Sequence, residues 1–443
     1  MGDFGVVFAI ILAMPREFGE ISIGEHTLSR ETLPNGLRVV VLDRPETYRA
    51  SLNLVVAAGN RYTDGAPAGT AQFLEHLFYH EEEKRVPRNQ SEDDSETNAD
   101  YVSFTATFPA DRIEAEMERM ERLVFGGIEN LDGNRSIQQG IVRVERGVNH
   151  DKPWLMNMSL VRSMAWRDHA LGKSMHGTPE SIYRITPENL SDFYQSHFRP
   201  DRSILTVAGP VNVSHVTALA SKVFGKGQAG EAGLFPGTEP PQFNPALRVR
   251  VEETGTNLSY ITLAFSTGAY GESSPEHAGI EVLSNVLNER VYKSLVLENG
   301  WSYQPSAYAW LVADGGFLIL QAETLPVNTE QTMAYLVSEA VRAPVSQKEA
   351  GDAISKELRY LEDKLRRSET AVRYLGEEEL YRGVTRIDAV FARVTAVDTG
   401  KLNGLKEWVV AGENSLAVVS GPVHRGLVSR LNQALNQNLD FQG

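Results

Sequence analysis

Residues 72–76, Gln72-Phe73-Leu74-Glu75-His76, stand one residue away from the spacing H-x-x-E-H. On a helix, positions i and i+4 lie on one face. Two imidazoles so placed can hold zinc, and the glutamate before the second can take a proton from a water on the metal. Glu75 and His76 keep the places of base and ligand, but the first ligand position is Gln72. Its neutral amide is a poor substitute for imidazole. Taken alone, x-x-x-E-H also describes an ordinary helix with a polar face. His80 follows His76 by one helical turn; it is either a replacement ligand on that face or a solvated histidine opening an acidic run.

A chain of 443 residues exceeds what one compact core usually holds, so two or three domains are expected. Hydrophobic content of 42% and charged content of 23% are those of a globular protein. A net charge of −15 argues against nucleic acid as a partner, because phosphate binding needs a basic footprint. With no cysteine, disulfides, thiolate metal sites and cysteine nucleophiles are excluded. The compartment stays open between cytoplasm, periplasm and organelle matrix. The apolar run from Gly5 to Met14 is too short to span a bilayer and lacks the basic flank and cleavage site of a secretory signal. It is expected to be a buried or ragged N-terminal segment.

The elements that must position the motif come in two sets. "RSILTVAGPV" from Arg202 is echoed by "NSLAVVSGPV" from Asn414, placing Gly209 and Gly421 212 residues apart. "LNLVVAAGN" from Leu52 is echoed by "ITLAFSTGA" from Ile261, placing Gly59 and Gly268 209 apart. Two matches at nearly one offset, close to half the chain, indicate a duplicated domain-sized unit. Each unit opens with β-branched strands. Helical periodicity follows, as at Ile113, Met117, Met120 and Val124. The expected fold is therefore α+β: two homologous α/β-sandwich halves forming a clamshell, each a sheet with helices on one side. The expected division is an N-terminal segment 1–29, a first half 30–224 carrying the motif, a linker 225–247 rich in Gly and Pro, and a second half 248–443. Glu81–Asp100, polar and almost free of large apolar residues, is expected to be a mobile surface loop.

Nearly the whole chain resembles the pitrilysin, insulinase and mitochondrial processing peptidase family. "PNGLRVVVLDRPETYRASLNLVVAAGNRYTDGAPAGTAQFLEHLFYH" is similar to that family's opening strands and zinc helix. "NADYVSFTATFPADRIEAEMERMERLV" and "HFRPDRSILTVAGPV" resemble segments that follow. The resemblance implies a third zinc ligand at Glu145, which precedes a D-x-P ending at Pro153, and a helper carboxylate seven residues earlier, where this chain has Gln138. His150, in the loop before D-x-P, needs no ligand role. It also implies an arginine and a tyrosine that help hold the peptide; here the positions are Val296 and Tyr303. Tyr303 alternatively packs as a strand tyrosine at the domain interface. In the second half, Glu276-His277 opens a helix and needs no more than a capping role.

Three readings follow from the resemblance. The first is a weakly or non-catalytic subunit of a two-chain zinc peptidase, holding zinc weakly or not at all. The second is an active zinc metalloendopeptidase; the third is a structural subunit of the same fold. The implied partners are peptides or unfolded polypeptides and a second subunit, in a homodimer or a heterodimer with a related peptidase chain.

Overall fold

The computed structural model describes residues 28–85, 92–127, 139–142, 144, 147, 152–226, 238–245, 248–341, 344–384, 386–410, 414–422 and 426–439. The first sheet holds β1 (Leu28–Thr32), β2 (Arg38–Asp43), β3 (Arg49–Val56), β4 (Glu92–Thr97), β5 (Val102–Pro109) and β6 (Ser203–Gly209), in the order β1-β2-β6-β3-β5-β4. The second holds β7 (Val249–Glu253), β8 (Ser259–Ser266), β9 (Ser306–Val312), β10 (Gly315–Thr324) and β11 (Ser415–Gly421), in the order β7-β11-β8-β10-β9. Helices of the first half are α1 (Thr70–Arg85), α2 (Ile113–Phe125), α3 (Pro153–Ala165), α4 (Pro179–Arg184), α5 (Pro187–His197) and α6 (Val213–Phe224). Those of the second are α7 (His277–Tyr292), α8 (Thr329–Val341), α9 (Gln347–Arg366), α10 (Ser368–Tyr381), α11 (Ile387–Thr395), α12 (Thr399–Val409) and α13 (Leu427–Leu439).

Setting β1 aside, the two sheets have one topology. In each, the last strand runs parallel to the first and antiparallel to the next, and the other neighbours are antiparallel. The repeated glycines explain themselves physically. Gly209 and Gly421 end equivalent strands with φ of 152° and 144°. A Cβ would fall 2.6 Å from Ala50 Cα at Gly209 and 2.6 Å from the Leu258 carbonyl oxygen at Gly421. No side chain fits either place.

Helices do not stay on one side of each sheet. Leu52, Leu54, Phe104 and Leu205 turn into a core with Phe73, Leu77, Met117 and Met120 of the first half's own helices. The opposite face is covered by α10 of the second half. Gly376 allows the crossing, since an added Cβ would meet Val55 Cγ2 at 2.8 Å, and the Thr206 hydroxyl donates to the Val372 carbonyl at 2.7 Å. The reverse exchange places α3 on the second sheet: Val161, Met164 and Ala165 pack with Ala264, Leu416 and Val418. Asn157 on α3 donates to the Tyr260 carbonyl at 3.0 Å. Thus each sheet has helices on both faces, one set supplied by the other half.

The segment expected as a loop is also ordered where described. α1 runs on to Arg85, and Glu92–Thr97 forms the edge strand β4. Residues 86–91 and 1–27 lie outside the described residues. β4 contains no apolar side chain, but distant arginines neutralise it: Arg49 pairs with Glu92 at 2.6 Å, Arg119 with Asp93 at 2.7 Å and Arg373 with Asp94 at 2.7 Å.

A buried ionic network joins the halves. Arg61, fully buried, donates from Nε to Asp100 at 2.8 Å and from Nη2 to Asp314 at 2.6 Å. The other Asp100 oxygen accepts the Ala313 amide at 2.8 Å and the Tyr381 hydroxyl at 3.1 Å. Asp100→Ala leaves Arg61 with one carboxylate and removes three bonds at the joint. It is expected to destabilise the protein by about 3–5 kcal/mol, read as a lowered denaturation midpoint. Glu114→Ala, which breaks an exposed pair with Lys222, should leave the midpoint in place.

Nearby, the Tyr101 hydroxyl donates to Glu377 Oε1 at 2.5 Å, and burial pushes the Glu377 carboxyl up from its ordinary 4.5 to about 7. The folded state therefore keeps a proton that the unfolded state releases, and stability falls as pH rises from about 4.5 to about 7. Glu377→Gln stays neutral throughout. Urea titrations should show it matching the wild type at pH 4.5 and exceeding it at pH 8, by on the order of 1–2 kcal/mol.

Candidate functional site

α1 carries two stripes. Phe73, Leu74, Leu77 and Phe78 are buried in the first half's core. Gln72, Glu75, His76 and Tyr79 fall at i, i+3, i+4 and i+7, a second, polar stripe. Gln72 is 5% exposed, Glu75 is 9% exposed and His76 is half-buried. The residues singled out in the sequence thus lie together on one helix face, within the molecule rather than on its surface.

The stripe docks on β4. Ser95 and Thr97 point the same way from that strand, and both hydroxyls donate to Glu75: Ser95 to Oε1, and Thr97 to Oε2 at 3.2 Å. One turn on, the Tyr79 hydroxyl donates to the Asp94 carbonyl at 3.1 Å. Both oxygens of the expected base therefore serve as acceptors for an edge strand.

Gln72 faces a residue that sequence reasoning did not single out. Its Oε1 lies 3.0 Å from Nδ1 of His176, 104 residues away in the chain. With the amide oxygen as acceptor, Nδ1 is the protonated ring nitrogen. A tight latch brings His176 there. Gly177 has φ of 66°, and a Cβ on it would strike the Ala68 carbonyl oxygen at 2.6 Å. Ser181 donates to that same carbonyl at 2.8 Å. Thr178 and Ser181 also form a capping box at the start of α4. The helix-start signal Thr178-Pro179 was legible, but nothing in the sequence ties the preceding histidine to α1.

Of the other expected site residues, Glu145, Gln138 and His150 lie outside the described residues, as does the side chain of His80. Tyr303 is 81% exposed, so it is not packed at the interface between halves. Its backbone amide donates to Glu323 at 2.7 Å. Val296 is half-buried in the turn of π-helix Lys293–Glu298. In the second half, His277 Nε2 lies 2.9 Å from the Glu272 carboxylate, which Arg382 also contacts; these partners hold the Glu272 carboxyl down at about 2 despite burial.

No group of three or more His, Asp or Glu among the described residues could hold a metal ion. The stripe supplies one imidazole, one amide and a carboxylate engaged by two hydroxyls. The described residues therefore do not by themselves fit a zinc site. No helix among them is long and apolar enough to cross a membrane.

Comparison with known proteins agrees with this architecture. Residues 38–179 match the family profile described as Insulinase (Peptidase family M16), and residues 184–350 match the one described as Peptidase M16 inactive domain. An uncharacterized zinc protease of Bacillus subtilis, YmxG, is 22% identical over 89% of this chain and 98% of its own length. An uncharacterized zinc protease of Mycobacterium leprae is 25% identical over 89% of this chain and 91% of its own. A probable mitochondrial-processing peptidase subunit beta of Arabidopsis thaliana is 22% identical over 58% of this chain and 49% of its own. Among solved structures, a protease from Helicobacter pylori superposes with a TM-score of 0.79 at 17% identity, over 90% of this chain and all of that one. A chain of complex III2 from Candida albicans gives 0.78 at 15% identity, over 93% of this chain and all of that one. Two M16 profiles covering successive stretches of the chain, on a duplicated two-sheet fold, make this chain a member of the M16 family of metallopeptidases.

Proposed function

We propose that this chain is a weakly or non-catalytic subunit of a two-chain peptidase, binding peptide or unfolded polypeptide beside an active partner. The observation that carries this is Gln72: the first ligand position is an amide, and its oxygen is already joined to His176. The engagement of Glu75 by Ser95 and Thr97 supports it, because hydroxyls donating to both oxygens stabilise the charged carboxylate and so weaken it as a base. In this reading His76 and Glu145 are the remaining ligand positions, Gln138 is the amide beside Glu145, Glu75 is the base position and Tyr303 meets the peptide. The functional division is a first half 30–224 and a second, non-catalytic half 248–443 about a linker 225–247. A relative named as subunit beta of mitochondrial-processing peptidase supports assembly with a related chain.

An active zinc metalloendopeptidase is the second reading, favoured by the imidazole of His176 beside position 72. A structural subunit is the third. Zinc content by mass spectrometry and cleavage of a quenched peptide separate them. The lead reading expects substoichiometric zinc in the wild type. It also expects a gain of roughly 10²–10³-fold in zinc affinity for Gln72→His, since a missing imidazole costs several kcal/mol. Stoichiometric zinc with brisk, chelator-sensitive cleavage by the wild type would establish the active enzyme. His176→Ala should then strip the metal if His176 serves as a ligand, whereas under the lead reading it leaves zinc content unchanged. Absence of zinc from Gln72→His, with no peptide binding, leaves the structural reading.

A further inference from the structure

Four arginines are buried among the described residues: Arg44, Arg61, Arg119 and Arg162. Three of them have carboxylate partners. Arg44 pairs with Glu46, Arg61 with Asp100 and Asp314, and Arg119 with Asp93 and Glu116. Arg162, only 6% exposed, pairs with none. Its Nε is buried without a hydrogen-bond partner, and no acceptor among the described residues takes a hydrogen bond from either Nη nitrogen. Its guanidinium carbon lies 5.4 Å from the centre of the Trp310 ring.

The surroundings are aromatic. Trp310 lies 5.9 Å from Trp166 and 6.1 Å from Phe317, and Trp166 lies 4.6 Å from Phe317. Burial pushes the guanidinium down to about 10, and no neighbouring carboxylate pulls it back. At neutral pH it is still a cation. A buried charge without a counter-ion is costly, and the face of one tryptophan compensates only part of that cost. The chain has an excess of acidic residues, 58 against 43 basic, yet among the described residues none pairs with Arg162.

We propose that Arg162 and Trp310 form a receptor for a carboxylate of a bound peptide. A guanidinium presents two parallel N–H donors to a planar carboxylate. Among the described residues no second cation joins Arg162, so a monoanion fits better than a phosphate dianion. The indole, with Trp166 and Phe317 behind it, favours an apolar group beside that carboxylate, as at a free peptide C-terminus. Arg162 lies on α3, the helix of the first half that crosses onto the second sheet, and Trp310 lies on that sheet's edge strand, so both halves contribute to the receptor. This rests on, and deepens, the peptide-binding reading, and it adds a cationic contact in a chain that has Val296 where the family resemblance implies arginine.

Small probes test the receptor apart from peptide binding. N-acetyl-phenylalanine, its amide, and N-acetyl-glutamate α-amide are titrated calorimetrically into the full chain. The first is expected to bind about tenfold or more tighter than its amide, the value of one charge-assisted hydrogen-bond pair. It should also bind tighter than the glutamate probe; a tighter glutamate probe would assign the receptor to acidic side chains instead. Arg162→Met should erase the preference for acid over amide. With the unpaired cation removed, it should melt at or above the wild-type temperature. Equal binding of acid and amide by the wild type, or an acid preference that survives Arg162→Met, overturns the proposal. The wild-type comparison decides even if the variant fails to fold. Binding of the small acid without binding of longer peptides would uphold the receptor and sink the peptide-subunit reading.

Discussion

A sheet has two faces, and each half of this molecule covers one of its own. The other face has to be covered by a helix from the opposite half, and the rest of the architecture follows from that. α10 lies along β3 and β6 because Gly376 and the Thr206 hydroxyl permit close approach there. α3 lies along β8 and β11 through the side chains of Val161, Met164 and Ala165. Burying these faces is the dominant favourable term, while the ionic joint at Arg61, Asp100 and Asp314 fixes register. Ion pairs so deeply buried gain little over an apolar contact but tolerate few other arrangements of the two halves.

The sequence made the duplication legible because glycine is irreplaceable at strand ends with φ near 150° and backbone packed against the Cα. Gly209 and Gly421 therefore stand at matched positions in chain segments that otherwise differ. The amphipathic helix around Met117 and Met120 was legible for the usual reason of period. β4 was not. Its strand character comes from pairing with β5 and from arginines at positions 49, 119 and 373, and no local pattern reports partners so distant. Nor was the helix exchange legible, since an apolar stripe states that a face is buried without stating against which sheet.

The candidate site divides in the same way. Helical spacing placed Gln72, Glu75 and His76 together from sequence alone. Their environment came from elsewhere: two hydroxyls from an edge strand and an imidazole from a latched turn. An amide at position 72 suits that imidazole, because its oxygen can accept from Nδ1 while its nitrogen remains a donor. In this fold, the glutamine is a fitted member of a hydrogen-bonded cluster.

The exchanged helices also govern how the two halves can move against each other. Two shells joined only at a rim could swing wide about a hinge. Here each half reaches across and seats a helix on the other's sheet, so a wide swing would unseat α3 or α10 and expose both inner faces to water. Motion that keeps them seated is sliding of small amplitude, of the shear kind.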